Sequence, residues 1–459
     1  MTTTPSGPPQ GTTTQNKWLS GNHAPVAVES TITELTVRGT LPVELNGRYL
    51  RNGPNPLLPP DPASYHWFTG DAMVHGISLR EGRAEWYRNR FVRSTSVSDA
   101  LGEPPAPGER HGGMETANTN VIGLADRTFA LVEAGARPVE LSRELETIAH
   151  CDLGGTLPHG YTAHPKVDPA TGDLHAIAYH WALPHLEYLV IGPDAKVRSV
   201  EAIDVAGGPM VHDCSITERW MVVYDLPVTF DMDAVAAGAR FPYTWRDGRP
   251  ARVGLLPLGG RGADVRWFEV EPCYVFHPLN AYDDGDRVVL DVIRYERMFD
   301  KERLGPDDSS PLLWRWTIDT ATGAVSERQL SDVSMELPRV DERRVGRNHR
   351  FGYAMGIDTT GSGNGFGGRL VRVDGSTGDA EAIDLGAGRT SGEWVMVPRA
   401  ESSAEDDGWL MSFVHDASTD RSDLVVLPAA DPASGPVAVV ELPVRVPAGF
   451  HGNWVGDAS

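Results

Sequence analysis

The sequence predicts an all-β protein arranged as a propeller. Two observations lead there: the texture of the chain and a recurring turn. Beyond Trp18, short runs rich in Val, Leu, Ile, Trp and Tyr alternate with clusters of Gly, Asp, Pro and Asn; residues 219–224, 287–293 and 410–414 are examples. Such runs, bounded by turn formers, read as strands. The turn has the pattern Asp, two residues, Ser or Thr, Gly. It occurs at Asp168 to Gly172, Asp319 to Gly323, Asp374 to Gly378 and Asp431 to Gly435. The last three start 55 and 57 residues apart, and the first lies 151 residues upstream. The Asp side chain bonds the turn backbone, and Gly supplies the positive φ that closes it. A hairpin unit repeating at this interval suggests propeller blades, with room for seven or eight after about residue 30.

Composition supports this reading and excludes others. The 459 residues include 49 glycines and 35 prolines, too many breakers for a helical bundle. Helical periodicity is confined to short candidates at residues 231–239 and 297–304. Hydrophobic residues make up 40 %, enough for a large core. The longest apolar runs fall far short of the ~20 residues of a membrane-spanning helix. The formal charge of −22 repels phosphate and argues against nucleic acid as a partner. Cys151, Cys214 and Cys273 are odd in number and widely spaced, so neither a disulfide framework nor a CxxC zinc ribbon is expected. The start, Met1 to Gly7, has no basic stretch followed by an apolar one, so a cytoplasmic protein is expected. Residues 1–27 are expected to be disordered or extended, and 28–459 to form one propeller domain.

The chemistry lies in the histidines. There are 15, and none forms HExxH or another local metal motif. Any metal site must therefore gather distant segments, which a propeller does because every inner strand faces one axis. His164, His212, His277 and His451 share a setting of small, apolar or turn residues at strand edges, at intervals of 48, 65 and 174 residues. Any one of them alone reads more plainly as a packed core or turn histidine. Four in blade-like register make a shared metal competitive. Four neutral imidazoles suit Fe, Cu, Zn or Ni. Carboxylates behind them would orient the rings and offset the charge. Glu133, Glu336 and Glu393 stand in apolar stretches, where a solvated carboxylate is not expected, although each alone also fits an edge strand.

At these residues the sequence resembles the carotenoid cleavage oxygenases, non-haem iron enzymes with carotenoid, apocarotenoid and stilbene-cleaving members. The N-terminal stretch from Leu45 to Pro56, with Arg51-Asn52-Gly53-Pro54 at its centre, carries the resemblance. So do Trp67 to His75, His164-Pro165-Lys166, Val211-His212-Asp213, Phe276-His277-Pro278-Leu279-Asn280 and Phe450-His451-Gly452. The similarity runs from about residue 28 to the end. It implies a seven-bladed β-propeller with a cap of loops and helix over Fe(II) on its axis. The implied ligands are His164, His212, His277 and His451, oriented by Glu133, Glu336 and Glu393. It implies a dioxygenase that cleaves a C=C bond of an apolar polyene with O2 into two carbonyl products. His75 belongs to the signature but not to the ligand set, and the other ten histidines are assigned to surface or packing.

Two departures stand out. The signature Gly-Asp-Gly-Met reads Gly70-Asp71-Ala72-Met73 here, which suggests a locally different backbone. Stilbene-cleaving relatives carry Lys before the first glutamate, where this chain has Val132. Valine cannot grip a phenol, which favours a carotenoid or apocarotenoid over a hydroxystilbene. The same alkene cleavage on a stilbenoid or phenylpropenoid is the nearest alternative. A metal-free binding scaffold and a cation-dependent hydrolase are more distant ones: a scaffold has no use for this constellation, and such hydrolases favour oxygen ligands. Residues 226–230 and 241–245, with 252–257 beside them, carry Met232, Val235, Phe241, Tyr243 and Trp245. Two readings fit this stretch: an apolar mouth that makes peripheral membrane contact by insertion, and a loop packed on the propeller face.

Overall fold

The computed structural model of the chain describes residues 16–112, 115–358 and 366–457. Its strands pair antiparallel throughout and form seven blades around a central axis. One blade is shared by both ends of the chain. Gly452–Gly456 pairs with Gly47–Pro54, and the sheet continues through Ala72–Arg80 to Arg83–Phe91. Three blades follow, opened by Asn120–Leu124, Lys166–Val167 and Cys214–Ile216. A seven-stranded path then supplies two blades at once. The long strand Val325–Arg339 closes the blade opened by Tyr274–Asp284, and its second half opens the next. The last blade runs from Val395–Pro398 through Gly408–Asp416 and Arg421–Pro428 to Ala438–Glu441, and Thr36–Gly39 is added at its outer edge. The ring is thus closed by strands from both termini, which leaves few open edges.

Burial explains the strand texture. Leu174–Ala178 is buried at every position because both its faces meet neighbouring blades, so it shows no polar alternation. The outer strand Asp379–Asp384 is mostly exposed and correspondingly polar. Between blades, Trp316 and Trp394 are fully buried.

Three of the four recurring turns occupy one place. Those at Asp319, Asp374 and Asp431 join the third and fourth strands of successive blades. Gly323 and Gly378 have φ of 80° and 85° and donate to the Asp carbonyl at 2.8 Å. The turn at Asp168 instead joins the first and second strands of its blade, so its spacing from the others is not a blade count. Residues 231–239 do contain a helix, Met232–Ala236, capped by the Asp231 carboxylate. Residues 297–304 form bends stabilised by Asp308 and not the expected helix. The helix Thr95–Leu101, capped by Ser94, was not expected.

The start of the chain differs from the expected disordered or extended lead. Its first 15 residues lie outside the described ones. Residues 16–23 form two 3-10 turns, with Trp18 buried and stacked on Trp67 at 4.6 Å. This segment packs with Tyr65, Trp67 and Phe450 in an apolar cluster joined by Phe68 and Leu304. Ala72 begins its strand buried and with an ordinary extended backbone, so the Gly-to-Ala departure costs nothing there.

Candidate metal centre and cavity

The inner strands bring His164, His212, His277 and His451 together. One nitrogen from each lies within 4.8 Å of the others, and all four residues are buried. His164 and His277 each precede a proline, which confines the histidine backbone to the extended region. Pro278 sits at a register shift in its strand, the place where a proline is tolerated. His451 is seated by the N-terminal signature. Its carbonyl accepts from Asn52 N at 2.9 Å, its amide donates to Thr119 O at 3.1 Å, and Arg51 bonds the Pro447 carbonyl. A Cβ at Gly449 would overlap the Arg51 guanidinium, so the approach to His451 requires glycine.

Each of three rings is backed by one of the expected glutamates. His277 Nδ1 lies 2.6 Å from Glu336 Oε2, and His451 Nδ1 lies 3.0 Å from Glu393 Oε1. Glu133 Oε2 is 2.7 Å from His212 Nδ1, a close charge contact outside good hydrogen-bond alignment. The residues after Glu133 and Glu336, Ala134 and Leu337, adopt left-handed φ of 62° and 52°. These bends turn the chain away just past each carboxylate, at a cost of order 1 kcal/mol each.

The fourth ring is different. His164 has no glutamate; Asp213 lies 3.8 Å away and is paired with Lys166 at 2.9 Å. Its Nε2 is buried with no hydrogen-bond partner among the described residues. Burial, reinforced by the three neighbouring imidazoles, holds His164 well below its ordinary pKa and therefore neutral. The His212 and His277 Nε2 atoms are 3.2 Å apart. Two imidazoles bound side by side to one ion at ~2.1 Å place their nitrogens about 3 Å apart. A buried orphan nitrogen, that spacing and the carboxylates behind the rings fit a divalent ion with nitrogen preference.

An outer layer of donors holds the glutamates, and the sequence reading did not identify it. Tyr179 donates to Glu133 Oε1 at 3.0 Å, Tyr295 to Glu336 Oε1 at 2.9 Å, and Arg339 to Glu393 Oε2 at 3.0 Å. Burial opposes ionisation of Glu336 and Glu393, yet their partners win. His277 holds Glu336 below the usual carboxylate range, and Arg339 with His451 brings Glu393 to about 2. Arg339, three residues after Glu336, and Asp213, next to His212, were open to identification from position. Tyr179 and Tyr295 look like ordinary strand aromatics.

The histidines stand between two cavities. One, partly open to solvent, is walled by Phe68, Val132, Phe241, Phe276 and Phe450, and reaches His212, His277 and His451. The other is lined by Asn120, Lys166, Asp213, Arg339 and Asn453 and reaches the centre from the polar side. Phe241 and Tyr243 from the segment at 226–245 face the apolar cavity, whereas Met232 and Val235 are exposed. Residues 252–257 do not lie at the mouth; they belong to the core strand Ala251–Pro257. His75 is buried against Tyr87 at 2.9 Å, away from the cluster.

The chain is similar to known proteins over nearly all of its length. A family model described as retinal pigment epithelial membrane protein matches residues 23–456. A carotenoid cleavage oxygenase of Mycobacterium tuberculosis is 47 % identical, covering 97 % of this chain and 98 % of the relative. Among solved structures, lignostilbene dioxygenase of Pseudomonas brassicacearum superposes with TM-score 0.87 at 29 % identity, covering 96 % of this chain and 99 % of that one. A variant of Synechocystis apocarotenoid oxygenase gives 0.84 at 27 %, covering 96 % and 98 %. Fold and site define an oxygenase built on a seven-bladed propeller. The chain belongs to the carotenoid cleavage oxygenase family.

Proposed function

We propose that the protein holds Fe(II) through His164, His212, His277 and His451 and cleaves a C=C bond of a carotenoid or apocarotenoid with O2, giving two carbonyl products. The observation that carries this reading is the meeting of four buried imidazoles with an apolar cavity. Bound iron supplies the dioxygen chemistry that alkene scission requires. The protein's own part is positional. Glu133, Glu336 and Glu393 fix the rings of His212, His277 and His451 with Nε2 inward. Phe68, Phe241, Phe276 and Phe450 exclude water and confine a flat, apolar chain beside the centre. The carboxylates that reach the cavity are already bonded to imidazoles and outer donors, so no free acid is offered to the substrate.

Val132 lines this cavity and is buried. Its apolar side chain favours a polyene over a hydroxystilbene. Incubation under air with a panel of carotenoids, apocarotenals and a hydroxystilbene, followed by mass spectrometry, tests the choice. Paired aldehyde or ketone products from the polyenes support it, and cleavage of the hydroxystilbene alone refutes it.

The proposal extends to peripheral membrane contact at the mouth. Trp181 is stacked on Phe230 at 5.1 Å and, with Met232 and Val235, presents exposed apolar surface. No helix among the described residues is long and apolar enough to cross a membrane. Co-sedimentation with neutral lipid vesicles, lost in Trp181→Asp, supports this contact; equal sedimentation of both forms removes it. The three cysteines are buried and free, which is consistent with a reducing cytoplasm.

A further inference from the structure

The carboxylates behind the four histidines have named partners. Glu133, Glu336 and Glu393 contribute three buried carboxylates. Asp213 is matched by Lys166 at 2.9 Å. Tyr179 and Tyr295 are buried donors to glutamates, which keeps their phenols protonated. Among the described residues, Arg339 is the one cation bonded to any of these glutamates, and its side chain is 15 % exposed; Arg51, buried in the wall of the same cavity, bonds the Pro447 carbonyl instead. Arg339 bridges Glu393 Oε2 at 3.0 Å, Gly452 O at 2.8 Å, Asn453 Oδ1 at 2.9 Å and Glu342 Oε1 at 2.6 Å. Glu342 is half exposed, so its charge is largely met by water. The buried cradle therefore carries three negative charges and one positive charge.

We propose that Arg339 is a positioning residue that sets this cradle at a net charge of −2, matched to a divalent ion, and so disfavours the trivalent state of the same metal. The inference rests on the iron reading above. Three uncompensated carboxylates would suit a trivalent ion. Arg339 removes that match by acting through Glu393, without touching the metal or the substrate. Its place is fixed by the bulge between Glu336 and Arg339, which turns the guanidinium toward the strand that follows His451. One residue thus orients the Glu393–His451 pair and lowers the negative charge behind it.

The test is a mediated redox titration of the iron-loaded full chain, with the ferric form followed by its electron paramagnetic resonance signal. In Arg339→Gln the ferric-to-ferrous ratio at fixed potential is expected to rise about tenfold, the scale of losing a buried unit charge within a nanometre. Arg339→Lys keeps the charge and is expected to stay near wild type. The double variant Arg339→Gln with Glu393→Gln restores the net charge and is expected to return toward wild type, which no loss of packing would do. A wild-type ratio in Arg339→Gln, whatever its iron content or melting temperature, overturns the inference. If that variant does not fold, Glu393→Gln is compared with the double variant, and equal ratios overturn it. Wild-type chain that takes up no iron overturns the metal reading itself, a different and separately visible failure.

Discussion

His277 Nδ1 lies 2.6 Å from Glu336 Oε2, joining residues 59 positions apart on adjacent blades. The contact places the ring proton on Nδ1 and leaves Nε2 directed at the other three imidazoles. One carboxylate therefore decides which nitrogen faces the centre, and the long strand that carries Glu336 ties this choice to the blade framework.

Glu336→Gln keeps the shape and removes the charge that fixes this tautomer. Metal affinity is expected to fall roughly 10–100-fold. Titration of the metal-free variant with Fe(II) or Co(II) measures it, and wild-type affinity would show that the pair is not part of the centre.

The C-terminus carries the proposed ligand His451 and a closing strand together. Removing the last nine residues deletes His451 and Gly452–Gly456, which pairs with Gly47–Pro54. Iron and turnover are both expected to disappear. Retained turnover in the truncated chain would refute the assignment of His451.

Val132 lines the cavity one residue before Glu133. Val132→Lys brings an ammonium into an apolar wall, where it is costly unless paired. Its kcat/KM for a polyene is expected to drop about tenfold or more with iron content retained, while Val132→Leu stays near wild type. Steady-state kinetics on both variants decide the point.

His66 offers a pH signature away from the metal. It is buried, stacked on Phe241 at 4.2 Å, and its Nδ1 accepts from Phe68 N. Burial, aided by Arg303, lowers its pKa from 6.5 to about 3. Between those values the unfolded chain binds a proton that the folded chain refuses, so stability falls as pH drops below about 6.5. His66→Asn keeps a cap acceptor and removes this proton uptake. The loss of unfolding free energy between about pH 7.5 and about pH 5 is expected to shrink by about 2 kcal/mol. Urea unfolding at both pH values checks it, and an unchanged loss would show that His66 is protonated in the folded protein.

Much of the site was legible because its parts are local. Each histidine carries its own neighbours, such as Pro165 and Pro278, and the glutamates betray themselves as charges in apolar strands. The turns at Asp319, Asp374 and Asp431 mark blades because the same hairpin needs the same positive-φ glycine. Partnerships across blades were harder to read. Nothing adjacent to Tyr179 or Tyr295 shows that its hydroxyl ends on a glutamate 46 or 41 residues away. The 297–304 segment has helix formers but is held in bends by Asp308, a tertiary contact that propensity does not contain. Trp18 sits in a polar lead and is ordered by tertiary ring contacts, on Trp67 and against Phe366.

The central claim is that the four histidines hold iron, and metal analysis of the purified chain beside His212→Ala tests it most directly. About one iron per wild-type chain, lost in the variant while the fold persists, is the expected result. A wild-type chain that takes up no iron, or a variant that keeps it, would contradict the account.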